Sequence, residues 1–327
     1  MEPPARVDEG RSSSSLKMFT VLPAPELREY IECYYGEETI IREFGNPLVP
    51  HRLILPPLAC VEMHFCYNDT SLLIRAGNGS AQFHDLIIGD HNIYTHYVVD
   101  NFKEVAKQIH VKFRPGGFFE LFGVPEFEIR DAFFDVNTVL GDEANKLQDN
   151  INNACSTKER IGILDRFFHR RLTNHRDERW AERNAWAVKW IIRNRGDLRV
   201  AELFRHMGVT KRTLERHFLS RFGLSPKEFA RVVRFKMVLS TLLSSVSVDW
   251  QELVSTYGYY DQSHLINEFR EATTFSPELF LRQKGRTVIN YKTGIFLTPP
   301  LDQQPIAYQA IMRQASESEP DTDNGGR

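Results

Sequence analysis

Two stretches between Asp197 and Arg282 repeat one plan, and that repetition limits the fold more than any other feature of the chain. The first runs from Val200 to Phe218 and the second from Trp250 to Phe269. Each starts as a short helix with apolar periodicity and meets a glycine, Gly208 or Gly258. Each then resumes as a helix whose apolar anchors lie four residues apart, Leu214 with Phe218 and Leu265 with Phe269. Helix, tight glycine turn, helix is the outline of a helix-turn-helix.

The second helix of each repeat carries the chemistry. Thr210 suits an N-cap, because its hydroxyl can accept from an N–H of the first turn. The spacing predicts a helix from Lys211 to about Phe222, stopped by Gly223, with Leu214, Phe218 and Phe222 inward. Lys211, Arg212, Glu215 and Arg216 then lie on the other side. Arg donates in a fork to guanine O6 and N7, and Glu accepts from cytosine N4, so such a face suits a major groove. An ordinary solvated face with i, i+4 ion pairs is the bland alternative. In the second repeat Asp261 caps a helix presenting Gln262, Ser263, Ile266, Asn267 and Arg270, where Asn and Gln can pair with adenine. Base readout is therefore expected from Arg212, Glu215, Arg216, Gln262, Ser263, Ile266 and Asn267, and phosphate contacts from Lys211, Arg234 and Arg270.

Between the repeats, Ser225, Pro226 and Glu228 form a capping box that opens a longer helix. It should run through Arg231, Arg234 and Lys236 to about Leu243, some 18 residues or roughly 27 Å. A rod of that length can hold two recognition helices about 34 Å apart, one turn of DNA. Asp249 with Glu252 opens the second repeat as another capping box, and Ser276 with Pro277 starts a last helix.

Charge is distributed to match. From Ala181 to Asn290 there are about 18 Lys and Arg against about 11 Asp and Glu, roughly +7, within a chain of net charge -2. The remainder then carries about -9. A basic C-terminal half on a mildly acidic protein points to a local polyanion-binding surface.

The 327 residues divide as follows. Residues 1–17 form a polar, Ser-rich tail expected to be disordered. Residues 18–173 form a β-rich sensor or dimerisation domain, 174–184 a charged linker, and 185–284 the double helix-turn-helix domain. Residues 285–327 are a C-terminal extension, with a small hairpin expected around Thr293 and Gly294 and an acidic tail. In the β-rich part a lead-in helix is expected over Leu22 to Cys33. Strands are expected at Leu53–Leu55, Cys60–Phe65, Leu72–Ile74, Leu86–Ile88, Ile93–Val99 and Ile109–Phe113. Strands at this spacing suggest a small barrel or open half-barrel. Pro115, Gly116 and Gly117 read as a tight strand-to-helix turn, or less strongly as an anion cradle. Leu140 to Leu172 reads as two helices. Ile161, Leu164, Phe167, Phe168 and Leu172 form a stripe suited equally to a dimer seam or to packing on the barrel.

The C-terminal stretch resembles the AraC/XylS family of transcription regulators. The resemblance is carried by Gly208 to Thr210, Thr213 to Phe218, Phe222 to Pro226, Arg234, Tyr257 to Tyr259, Asp261 to His264, Phe269, Arg270, Ser276 and Pro277. It implies seven helices carrying two helix-turn-helix units, in a one-component bacterial regulator whose other domain senses a signal or dimerises. Leu22 to Leu27, Tyr34, Tyr35 and Phe113 to Gly117 with Leu121 resemble a sensor domain of some such regulators, implying a cupin-like half-barrel. Where the family has a small alanine in each first helix, this chain has Phe204 and Val254. Thr274 replaces the usual glycine before the last Ser-Pro, and Asn267 replaces a basic residue, so the first unit is expected to carry more affinity.

The overall expectation is an α+β chain: a cupin-like β-rich half-barrel with helices, then an all-α domain with two helix-turn-helix units. It is expected to bind double-stranded DNA in the cytoplasm, with RNA polymerase, a small-molecule effector and a second copy of the chain as further candidate partners, and with no catalytic residues, cofactor or metal assigned. No apolar run approaches the roughly 20 residues that span a bilayer, and the N-terminus has no secretory apolar core. The rival is a cupin-type metal-binding enzyme or metal sensor built on His51, His64, His84, His91, His96 and His110. There is no H-x-H, and Glu62 with His64 on one strand face is the single suggestive pair. No nucleophile elbow, P-loop or dinucleotide fingerprint is present. Cys33, Cys60, Cys66 and Cys155 form no CxxC and read as small core residues. A non-specific architectural DNA binder is a third class, marked by affinity indifferent to sequence.

Overall fold

The computed structural model describes residues 17–40, 51–54, 59–67, 72–76, 79–83, 85–90, 96–100, 105–172, 178–244, 248–273 and 276–282. The expected N-terminal tail before Lys17, the hairpin around Thr293 and the acidic tail lie outside these residues, as does Thr274.

The N-terminal half holds ten strands among the described residues. They are β1 (Lys17–Val21), β2 (Ile31–Ile40), β3 (His51–Ile54), β4 (Cys60–Cys66), β5 (Leu72–Ala76), β6 (Gly79–Phe83), β7 (Asp85–Asp90), β8 (His96–Asp100), β9 (Val105–Phe113) and β10 (Phe133–Asp135). Six form one sheet in the order β1-β2-β9-β4-β7-β10, and four form another in the order β3-β8-β5-β6. Every pairing is antiparallel. Among the described residues neither sheet closes on itself, so the expected β-rich domain takes the form of two open antiparallel sheets.

The expected lead-in helix is absent. Pro25 to Leu27 make one 3-10 turn, and β2 begins at Ile31. Pro23 and Pro25 keep Leu22 and Ala24 out of the helical region, so no helix begins before Pro25, and the turn that starts there gives way to strand pairing from Ile31. The β-prone run Cys33, Tyr34, Tyr35 pairs with β9 instead. Gly36 permits that pairing, because a Cβ there would sit 2.3 Å from the Gln108 carbonyl oxygen.

Helices cover one face of the six-stranded sheet: α1 (Gly117–Phe122), α2 (Asn137–Leu140), α3 (Asp142–Asn153) and α4 (Thr157–His169). Leu147, Ile151, Leu164, Phe167 and Phe168 join Tyr34, Val61, Met63, Phe65, Ile109, Val111 and Phe113 in one buried core. Ile161 and Leu172 pack against it. The α4 stripe is thus committed to the sheet rather than to a dimer seam.

Among the described residues seven helices follow: α5 (Glu178–Arg193), α6 (Val200–Met207), α7 (Lys211–Phe222), α8 (Pro226–Ser244), α9 (Trp250–Thr256), α10 (Gln262–Thr273) and α11 (Pro277–Arg282). The first of them starts inside the stretch read as linker. Trp180 stacks on His217 of α7 with ring centroids 3.3 Å apart, a contact that draws the charged segment into helix. Two cores result. Leu203, Met207, Leu214, Phe218 and Phe222 form one, and Leu253, Tyr259, Leu265, Phe269 and Phe280 the other. The α8 helix feeds both, with Phe229, Ala230, Val232 and Val233 in the first and Phe235, Val238, Leu239 and Leu242 in the second. A single helix embedded in two cores is a rigid connector. Phe204 and Val254, in place of the small alanines, pack half-buried at the edges of these cores.

Candidate nucleic-acid interface

The caps expected from sequence are made. Thr210 Oγ1 accepts from the Thr213 N–H at 3.2 Å. Ser225 and Glu228 exchange bonds in both directions, at 3.3 and 2.8 Å. Asp249 accepts from the N–H groups of Gln251 and Glu252, and Asp261 accepts from that of His264 at 2.7 Å. These bonds satisfy first-turn donors that would otherwise be orphaned, so each recognition helix has a defined start.

Both outward faces are open. On α7, Lys211, Arg212 and Arg216 are exposed, and Glu215 is half-exposed. Lys211 lies 3.8 Å from Glu215, the i, i+4 pair of a solvated helix face. Arg212 and Arg216 make no ion pair among the described residues. On α10, Gln262, Ser263, Asn267 and Arg270 are exposed and Ile266 is half-buried. The structure therefore groups Lys211, Arg212, Glu215 and Arg216 on one helix and Gln262, Ser263, Ile266, Asn267 and Arg270 on the other.

Arg234 belongs to neither surface. Its guanidinium donates to Glu268 at 2.6 and 3.3 Å and lies 4.6 Å over the Tyr259 ring. Glu268 is only 5% exposed and is also approached by His264 at 3.5 Å, by Tyr259 Oη at 3.4 Å and by Arg231 at 4.0 Å. This hub ties α8 to α10, and sequence reasoning missed it. The signal was a glutamate flanked by core positions, with Leu265 on one side and Phe269 and Ala272 on the other.

The β-rich head docks on the far end of α7. Arg130 donates to the Gly223 carbonyl at 3.3 Å and to Glu228 at 3.0 Å. Burial alone would raise the Glu228 carboxyl, but hydrogen bonds from Ser225 and Arg130 hold it below the usual carboxylate range. Arg221 pairs with Glu120 and lies over the Phe119 ring. Gly116, with φ +79°, lets its loop close on Phe222, which a Cβ would meet at 2.9 Å. The tight-turn reading of Pro115 to Gly117 holds, with the Gly117 N–H donating to the Arg114 carbonyl at 2.8 Å. The Arg212 and Arg216 end of α7 remains clear of the head.

In the N-terminal half, Glu62 and His64 do share a strand face, with Glu62 Oε2 3.3 Å from His64 Nε2. Among the described residues no group of three or more His, Cys, Asp or Glu is placed to hold a metal. His51 and His96 lie on β3 and β8, and their side chains, like His84 and His91, fall outside the described residues. Cys33, Cys60 and Cys66 are buried, and burial pushes the Cys33 thiol up to about 12. No helix among the described residues is long and apolar enough to cross a membrane.

Comparison with known proteins gives two family matches. A model described as a helix-turn-helix domain matches residues 203–283, and one described as a domain of unknown function (DUF6597) matches residues 19–135. No curated protein matches the chain. Among solved structures, ToxT from Vibrio cholerae is similar at 13% identity, covering 71% of this chain and 94% of that one, with a TM-score of 0.40. Wild-type ToxT of the same organism bound to an unsaturated fatty acid is similar at 12% identity, covering 84% and 97%, with a TM-score of 0.40. ToxT bound to (E)-4-(8-methylnaphthalen-1-yl)but-3-enoic acid is similar at 14% identity, covering 71% and 94%, with a TM-score of 0.42.

Proposed function

We propose that the chain is an AraC-type DNA-binding transcription regulator whose two recognition helices read adjacent major grooves from one side of the duplex. Arg212, Glu215 and Arg216 read bases from α7, and Gln262, Ser263, Ile266 and Asn267 read them from α10. Lys211 and Arg270 hold phosphates. Arg234 braces α10 against α8 rather than touching DNA.

The observation that carries this reading is the pair of exposed polar faces on helices anchored in the two ends of α8. With 19 residues, α8 is roughly 28 Å long. That length suits major-groove entries about 34 Å apart, one turn of the duplex. The head is a sensory or dimerising domain without catalysis, and RNA polymerase and a second copy of the chain are its candidate macromolecular partners.

Selection of bound fragments from random duplexes tests the proposal. A site with two conserved segments spaced about 10 base pairs apart is the expected result. Uniform recovery of all sequences, with affinity set by salt alone, would identify an architectural binder instead.

A further inference from the structure

The outer side of the α3 and α4 pair holds a groove that neither the sheet nor DNA binding uses. Its volume is about 490 Å³. Buried Leu147, Ala154 and Phe167 form its apolar lining, and exposed Lys146, Arg166 and Arg170 stand along it.

The two glutamates of the groove are already engaged. Glu143 pairs with Arg171, and Glu159 accepts from the Cys155 N–H at 2.9 Å at the start of α4. Lys146, Arg166 and Arg170 make no ion pair among the described residues. Arg166 lies in the last turn of α4 and Arg170 at its C-cap, where helix carbonyls favour a cation. Lys146 comes from the interior of α3, so a helix end does not account for it. Three cations thus border one groove without anionic partners.

The chain contains their complement. Residues 316–323 carry Glu317, Glu319, Asp321 and Asp323 and no basic residue. Ile311 and Met312 precede them and offer apolar side chains for the lining. Distance is no obstacle. The 33 residues between Arg282 and Ser316 extend to at most about 110 Å. A compact chain of this length is roughly 50 Å across. Exposed ion pairs are individually weak. A tether raises the local concentration of its segment to roughly the millimolar range, so a contact too weak to capture a free peptide can hold a tethered one.

We propose that residues 311–323 dock in the groove between α3 and α4, with their acidic side chains on Lys146, Arg166 and Arg170. The contact ties the chain that continues from α11 back to the head, which also meets the first helix-turn-helix unit through Arg130 and Arg221. The proposal does not rest on the regulator reading.

Cys155 supplies the reporter for a test on the full chain. It is exposed and adjoins Ala154 of the groove, whereas Cys33, Cys60 and Cys66 are buried. Ser318→Cys places a second thiol in the segment, and glutathione disulfide serves as oxidant. A disulfide between Cys155 and the introduced thiol, within one chain and in more than about half of the molecules, is the expected result. Non-reducing gel mobility and peptide mass mapping read it. Gln303→Cys, outside the segment, gives the background yield. Joint Lys146→Gln, Arg166→Gln and Arg170→Gln should lower the Ser318→Cys yield about fivefold, and so should about 0.5 M salt, which screens exposed charges. Circular dichroism checks the folding of the triple variant, and if it does not fold, the salt series and the Gln303→Cys comparison decide. Equal yields for Ser318→Cys and Gln303→Cys, a yield unmoved by neutralisation or salt, or a disulfide formed only between chains overturns the proposal. The last outcome would assign the groove to a second copy of the chain.

Discussion

Arg234 on α8 and Glu268 on α10 form a two-bond ion pair, at 2.6 and 3.3 Å, inside the second helical core. Glu268 is almost wholly buried, and Arg234 supplies its shortest hydrogen bond. Removing the arginine leaves a desolvated carboxylate, which typically costs more than the pair contributes when intact. Arg234→Ala is therefore expected to lower unfolding stability by about 3 kcal/mol, read from the urea midpoint. Arg234→Lys should recover only part of the loss, because a lysine cannot fork onto both oxygens or cover the Tyr259 ring in the same way. A stable Arg234→Ala protein that merely binds DNA less tightly in a salt-dependent way would return Arg234 to the phosphate contacts.

Arg216 and Lys211 share the exposed face of α7 but should differ in role. Arg216→Ala is expected to cost about 1–3 kcal/mol of specific binding and to relax preference at one base. Lys211→Ala should weaken binding alike on all sequences and lower the salt slope by about 1. Titrations on the selected site and on single-base variants, at several salt concentrations, separate the two. A uniform loss for Arg216→Ala would make it a phosphate contact.

The contrast between Arg216 and Arg234 shows what a single sequence reveals. Short-range rules located the helical half well: caps at Thr210, Ser225, Asp249 and Asp261 act between residues two or three apart, and the apolar four-residue spacing names the core directly. Arg234 and Glu268 are 34 residues apart, and nothing local marks either as the other's partner. Strand pairing has the same weakness. The β2 strand pairs with β9, 65 to 82 residues away, and its proline-rich approach reads locally as a helix start. A polar face on the sheet was visible only as Glu62 and His64; His110 and Lys112 join them through β9 register, which alternation alone does not set.

The head reaches the first helix-turn-helix unit through Arg130, which bridges the Gly223 carbonyl at the end of α7 and Glu228 at the start of α8. Both charged partners are partly exposed, so Arg130→Ala should change global stability little. The local effect should be larger, because the last carbonyls of α7 lose a donor. Amide hydrogen exchange is expected to speed up over Leu219 to Leu224 while α10 is unchanged. Equal acceleration in both units would mean that the contact supports the whole helical domain rather than one helix end.

Asp85 gives the fold a pH dependence of known sign. Burial raises its carboxyl from the ordinary 3.8 to about 7, against the Cys66 N–H that it accepts at 3.1 Å and with help from Asp135. A carboxyl with a raised folded-state pKa is easier to ionise in the unfolded chain. Its stabilising contribution is full below about pH 4 and fades as pH rises toward about 7. Asp85→Asn keeps the acceptor oxygen and removes the titration. The stability of the native chain relative to this variant should therefore fall between about pH 4.5 and pH 7.5, as read from paired urea midpoints at each pH. A difference that stays flat across this range would place the Asp85 carboxylate in contact with water, and a difference that grows with pH would require a cationic partner beside it.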